Sequence, residues 1–308
     1  MRYGLLFINF LFVPPILPRA ITFDLNGGRF GDNLSTYCKA KYYARQHKLK
    51  LLYKPFKDSD QLTLHTIETL YTPELKNSFD KIIRVKTEKD ITDNKDDNIL
   101  FVSDFYSQTP GLYEYGFRNS AFAAELKKML TPIKQLPPLE KNDNSITVAL
   151  HVRKGGGFDK PLASDQENVD PNIAYADKIW PTKFPPDSYY IEQIKTMRRL
   201  ISAEKSIIIH LFTDDPNPAS IAQKYAQALN DSSITFAYRH NGNNYDHTIV
   251  EDFYYIAQCD CLIRSSSLFA TAAQLLGNHT IIMYPIYGVW QDNKAIINPV
   301  GIIMRTIN

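Results

Sequence analysis

Ile146-Thr-Val-Ala-Leu-His151-Val-Arg153-Lys-Gly155-Gly-Gly157 is an apolar run that stops at two basic residues and three glycines. It reads as a strand closed by a turn. The pattern downstream of this turn decides the fold. Helical patterns at Ser188–Ile201, Pro218–Leu229, Val250–Cys259 and Leu268–Leu276 alternate with apolar strand patterns at Ile207–Phe212, Ile234–Tyr238, Cys261–Arg264 and Thr280–Tyr284. Such alternation predicts an α/β domain with a parallel, doubly wound sheet. Between the first strand and the first of these helices, Gly155–Pro186 is a long Pro- and Asp-rich loop. Loops of that length in compact domains are usually functional.

Upstream, Ile21–Leu25 is a further strand pattern that stops at Asn26-Gly27-Gly28. A helix is expected from Asn33 to His47, then a second strand beginning at Leu49, Leu51 and Leu52. This is a strand, turn, helix, strand unit, whose product is two parallel strands with a right-handed crossover. Residues Pro55–Asn98 are polar and weakly periodic and read as loops and short helices; Ile99–Ser103 reads as a strand and Asn119–Leu130 as an amphipathic helix. Pro137, Pro138 and the polar stretch to Ser145 make the best linker. The expected organisation is an N-terminal domain at 21–140 and a C-terminal domain at 145–308.

A chain of 308 residues exceeds what one core usually supports. With 35 basic and 33 acidic side chains, the net charge of +2 offers no broad footprint for nucleic acid. The three cysteines, Cys38, Cys259 and Cys261, lack zinc-site spacing, and the pair Cys259 and Cys261, in an apolar stretch, reads as buried free thiols. Residues 1–20 have the layout of a secretory signal peptide, with Arg2 before an apolar run; the alternative is an apolar leader that forms a buried first strand. The first reading places the protein in an export or endomembrane route, the second in the cytoplasm. Membrane association would come only through this leader. Asn33, Asn230 and Asn278 begin glycosylation-acceptor patterns, which chance supplies in a chain this long.

Ligands of open α/β sheets bind beyond the carboxyl ends of the strands, which singles out four places. Gly27-Gly28-Arg29-Phe30-Gly31-Asp32-Asn33 opens a helix whose dipole favours an anion, or is a plain strand-to-helix turn. His151 and Arg153 share a strand face, where an arginine beside glycines suits a diphosphate; the alternative is a basic surface turn. Asp214 and Asp215 before Pro216 could bind a ribose hydroxyl, a base edge or a metal, serve as a general base, or form a turn and cap, the reading preferred for Asp215. Arg264-Ser265-Ser266-Ser267-Leu268-Phe269 could hold a phosphate at a helix start, with Ser267 as a simple N-cap as the alternative. No Gly-x-Ser-x-Gly elbow, Walker loop or metal-binding histidine pair occurs.

Together these segments resemble the α-1,2-fucosyltransferases and the related protein O- and α-1,6-fucosyltransferases. Asn26-Gly-Gly-Arg-Phe-Gly-Asp-Asn33 resembles that superfamily's glycine-rich opening. His151-Val-Arg-Lys-Gly155 is similar to its His-x-Arg-Arg-Gly-Asp, and Val250–Phe269 to its Glu-Asp-Phe-Tyr to Ser-Ser-Phe segment. The resemblance implies a GT-B type fold, in which two Rossmann-like doubly wound domains face a central cleft. It implies an inverting glycosyltransferase that moves fucose from GDP-fucose to a glycan or glycoprotein hydroxyl, with no cofactor and no metal. Arg153 would bind the diphosphate as leaving group, beside His151; Asp214 would face the nucleotide; Ser266, Ser267 and Phe269 would contact phosphate and nucleotide. Arg153 and Asn33 would be the catalytic pair, while Gly28, Arg29 and Asp32 would line the cleft. The chain departs from the pattern at Lys154, at Asp32-Asn33 and at Gly156, where the superfamily has an aspartate. The general base is left unassigned, with Asp159 read as a solvated loop carboxylate. A catalytically inactive binding relative, or a transferase for another nucleotide sugar, are the alternatives.

Overall fold

A computed structural model describes residues 19–109, 120–139, 141–154, 181–240, 248–291 and 294–305. Residues 1–18 of the expected 1–20 leader, Gly156, Asp159 and most of the expected Gly155–Pro186 loop lie outside them, while Arg19 and Ala20 begin the first strand. The chain forms two compact units, and they do not follow a single cut. Unit 1 takes Met1–Asn26, Thr36–Pro55 and Glu68–Pro110; unit 2 takes Gly27–Ser35, Phe56–Ile67 and Gly111–Asn308. The division therefore differs from the expected one at 140–145, and it groups the Gly28–Asn33 turn with the C-terminal residues.

Unit 1 is a five-stranded sheet of β1 (Arg19–Phe23), β2 (Lys50–Tyr53), β3 (Thr69–Leu70), β4 (Lys81–Val85) and β5 (Ile99–Ser103). The order is β3-β2-β1-β5-β4, and every pairing is parallel. Helix α1 (Phe30–Gln46) makes the expected crossover between β1 and β2. Short helices α2 (Leu64–Ile67), which belongs to unit 2, and α3 (Pro73–Asn77) and α4 (Lys89–Thr92) of unit 1 fall in the stretch read as loops and short helices. That stretch also holds β3 and β4, which is a correction. Strand β4 is an edge strand whose Ile82 is exposed between Lys81 and Arg84, so neither apolar alternation nor a buried run marks it. The core of the unit gathers Ala20, Leu52, Phe79, Leu100 and Val102.

Unit 2 begins its regular part with α5 (Ser120–Leu130) and β6 (Ser145–Val152). Then come α6 (Asp187–Leu200), β7 (Ser206–Thr213), α7 (Pro218–Leu229), β8 (Ile234–Tyr238), α8 (Ile249–Gln258), β9 (Cys261–Arg264), α9 (Leu268–Leu276) and β10 (Ile281–Pro285). A hairpin of β11 (Gly288–Gln291) and β12 (Lys294–Ile297) precedes the last strand, β13 (Val300–Met304). The main sheet runs β13-β10-β9-β6-β7-β8. Strands β8, β7, β6, β9 and β10 are parallel as expected, whereas β13 lies antiparallel on β10, which the periodicity did not predict. Side chains of β6 divide by parity. Val148, Leu150 and Val152 pack with Tyr190 and Ile194 of α6 and Tyr225 of α7. His151, of opposite parity, meets Phe269 of α9.

This strand order has a consequence for ligand binding. The chain steps outward from β6 to β7 and β8, then returns to place β9 on the other side of β6. Connections on either side of the β6/β9 pair thus run in opposite directions. The crevice outside the carboxyl ends of such a pair is where doubly wound sheets take their ligands.

Candidate donor-binding site

The carboxyl end of β6 delivers His151 and, one residue beyond the strand, Arg153. In register with His151 is Arg264, the last residue of β9. His151 is buried, with its ring 5.7 Å from that of Phe269 and its Nδ1 3.4 Å from Ser265 Oγ. Burial pulls its pKa down to about 4; Asp214 opposes this and the Arg264 charge adds to it. His151 is therefore neutral at pH 7. The Arg153 guanidinium lies over the Phe184 ring at 5.5 Å, and its backbone N–H donates to Tyr190 Oη at 3.5 Å.

Arg264 is a buried guanidinium with a fixed direction. Its Nε donates to Gln274 Oε1 at 2.5 Å and its Nη1 to the Ser265 carbonyl at 3.0 Å, while the group lies 4.9 Å over Tyr284. Together with Ser266, Ser267, Leu268, Thr271, Tyr284, Pro285 and Ile286 it lines a cavity of about 450 Å³. This volume is in the range of small-molecule sites. Ser267 occupies the N-cap position of α9, but its side chain makes no capping hydrogen bond. Ser267 is thus the N-cap by position, without the side-chain bond that usually goes with it. An anion is the partner that a helix N-terminus favours.

The turn at Gly28 joins the same unit through Phe269. Phe30 packs edge-on against Phe253, Phe269 and Phe56, with centroids 5.7, 6.3 and 6.1 Å away. Gly31 is the glycine this packing requires, because a Cβ there would lie 2.6 Å from the Phe269 backbone nitrogen. Gly27 serves differently, taking a left-handed φ of 74°. Asp32 Oδ2 accepts from the Arg29 N–H at 3.1 Å and Asn33 Nδ2 donates to the Gly28 carbonyl at 2.9 Å, so both side chains brace the turn. Asn33 Oδ1 is buried with no hydrogen-bond partner.

Asp214 follows β7 and accepts the Lys154 N–H at 2.7 Å, which ties it to the Arg153 loop. Asp215 is the turn former: its Oδ1 takes the Asn217 N–H at 2.7 Å, and Asn217, not Asp215, caps α7 by accepting from the Ser220 N–H. Sequence reasoning gave no role to Arg264 or to Asp252. Asp252 stands in the first turn of α8 and pairs with Arg239 at 2.8 Å. Burial, helped by Glu251 and opposed by Arg239, raises its carboxyl to about 7. Both residues sit inside quoted motifs, but what distinguishes them is tertiary. Cys259 and Cys261 are buried and free as expected, and Cys38 is too. Among the described residues no cluster of His, Cys, Asp or Glu could hold a metal ion, and no helix is long and apolar enough to cross a membrane.

No protein-family model matches the sequence, and no curated protein matches it. Solved structures do: the chain has the mixed α/β fold, with parallel sheets and helices, seen in fucosyltransferases. The particular likeness is to Arabidopsis thaliana FUT1, an arginine-to-lysine variant in complex with GDP. The TM-score is 0.56 at 14% identity, covering 90% of this chain and 72% of that one. NodZ α-1,6-fucosyltransferase soaked with GDP-fucose also matches, at a TM-score of 0.43 and 13% identity over 94% of this chain and 99% of NodZ. At these identities the likeness is one of fold.

Proposed function

We propose that the chain is a glycosyltransferase of the GT-B type, transferring fucose from GDP-fucose to a hydroxyl of a glycan or glycoprotein. One observation carries the reading: at the β6/β9 switch point, Arg153 stands at one strand end and the start of α9, with no side-chain cap, follows the other. In this reading the Arg153 guanidinium takes two diphosphate oxygens, and the first N–H groups of α9 with the Ser266 and Ser267 hydroxyls take the rest. Charge that builds on the departing diphosphate is then met by groups already in place, without a metal ion. His151 is neutral and buried behind the site, where it packs on Phe269 and holds Ser265 beside it. Asp214 turns the Arg153 loop toward the nucleotide, and Phe269 packs against it. Asn33, with its unpaired Oδ1, orients the acceptor from a turn lined by Gly28, Arg29 and Asp32. The acceptor oxygen attacks the anomeric carbon opposite the diphosphate, so configuration inverts, and a general base removes its proton.

Thermal shift with GDP, UDP and CMP, then with GDP-fucose, tests the reading. GDP and GDP-fucose should raise the melting temperature of the wild type and not of Arg153→Ala. No shift with GDP would sink it. Binding of GDP without released nucleotide or acceptor transfer would point instead to an inactive relative, and turnover of a different donor to another transferase.

A further inference from the structure

Lys154 is held at both ends. Its backbone N–H donates to Asp214 Oδ1 at 2.7 Å, and its Nζ donates to Asp187 Oδ1 at 2.5 Å. Asp187 opens α6, and its carboxylate also accepts from Lys224 Nζ and Tyr225 Oη of α7, each at 2.7 Å. A lone exposed ion pair contributes about 0–1 kcal/mol and fixes little. Here the Asp187 side chain is only 22% exposed and receives three donors, so the lysine has a geometrically defined seat. Tyr190, one turn further along α6 and fully buried, accepts the Arg153 N–H. Residues 153 and 154 are thus tied to α6 at two points and to Asp214 at a third.

The Lys154 ammonium is therefore engaged with Asp187, and the side chain works as a strut between the Arg153 loop and the start of α6. We infer that Asp187 is a positioning residue for Arg153, acting through Lys154 to fix where the guanidinium is offered to an anionic ligand. This rests on the reading of Arg153 as the diphosphate contact. The warrant is preorganisation: a charged clamp is effective only where its own supports prevent it from wandering, and a misplacement of about 1 Å can cost a hundredfold in rate. The link persists across the working pH range. Burial works against the Asp187 charge, but hydrogen bonds from Lys154, Lys224 and Tyr225 outweigh it and hold the carboxyl at about 2.

The test uses the full chain with Asp187→Asn, Lys154→Met, Lys154→Arg and the Asp187→Asn/Lys154→Met double variant. Hydrogen exchange of the Arg153 and Lys154 amides is one readout and GDP affinity by calorimetry is the other, with melting curves to check folding. Asp187→Asn and Lys154→Met should each speed exchange at these amides and weaken GDP by about tenfold. Lys154→Arg should restore both, and the double variant should be no worse than either single one. Should Asp187→Asn fail to fold, Lys154→Met still decides, because it leaves Asp187 its bonds to Lys224 and Tyr225. Unchanged exchange in the folded variants, or losses that add in the double, would overturn the inference. If the wild type binds no GDP, the donor reading falls while amide exchange still reports whether Asp187 fixes the Arg153 loop.

Discussion

Arg153, His151 and Gly31 each make a different kind of demand on their surroundings. Hydrogen bonds to charged groups contribute about 1.5–3 kcal/mol, so Arg153→Ala should weaken GDP roughly 10- to 150-fold in a calorimetric titration while leaving the melting temperature of the free protein nearly unchanged. His151 predicts an acid sensitivity with a definite sign. Its folded pKa of about 4 lies below the unfolded value near 6.5, so the unfolded chain binds the proton first. Stability should fall as pH drops from about 6.5 to 4, and urea titrations should find that slope reduced in His151→Gln. Asp187 titrates lower, toward 2, so its contribution is lost in a separate, more acidic window. At Gly31 the argument is steric. An added methyl meets the Phe269 backbone, which cannot yield as a side-chain tip could, and Gly31→Ala should cost about 1–3 kcal/mol in denaturant unfolding.

Helices α7 and α9 begin in opposite ways, and the contrast is testable. Asn217 caps α7 with its side chain and Pro218 comes next at the first helical position, so Asn217→Ala should cost about 1 kcal/mol without touching ligand affinity. Ser267 sits at the same position of α9 without capping, so Ser267→Ala should leave stability within about 0.5 kcal/mol yet weaken GDP, as paired melting and binding curves would report. That difference was not legible in the sequence, where both are ordinary capping residues. The elements themselves were. Helices α7 and α9 and strand β9 fall on the residues their periodicity indicates, β9 because central parallel strands are nearly continuous apolar runs, and β8, though at an edge of the sheet, still carries enough apolar residues to be found. Edge elements escaped: β4 exposes Ile82, and β13 exposes Ile302 and Met304, so their patterns carry little of the core signal. Of the candidate site, the strand-end residues could be read from chain order. Arg264 could not, since its meaning depends on Gln274 and on Tyr284 from a neighbouring strand.

At the level of the whole molecule, the units are compact but their sequences are interleaved. The chain passes from one to the other at Gly27, Thr36, Phe56, Glu68 and Gly111. A fragment beginning at Gly111 keeps the β6/β9 switch point but lacks Gly27–Ser35, and with it Phe30 and Gly31, which pack on Phe269. It should therefore be digested by protease at conditions where the full chain resists, and near-ultraviolet circular dichroism should show that its aromatic packing is lost. The same interleaving bears on how such a protein can diversify. A gene for a molecule divided at one linker can exchange its halves by a single recombination. This one would need breakpoints at all the passages named above to trade one unit intact. New ligand preferences in its lineage are then expected to come from point changes and loop insertions within a fixed scaffold, and shuffling of halves would be penalised at α1, whose residues belong to both.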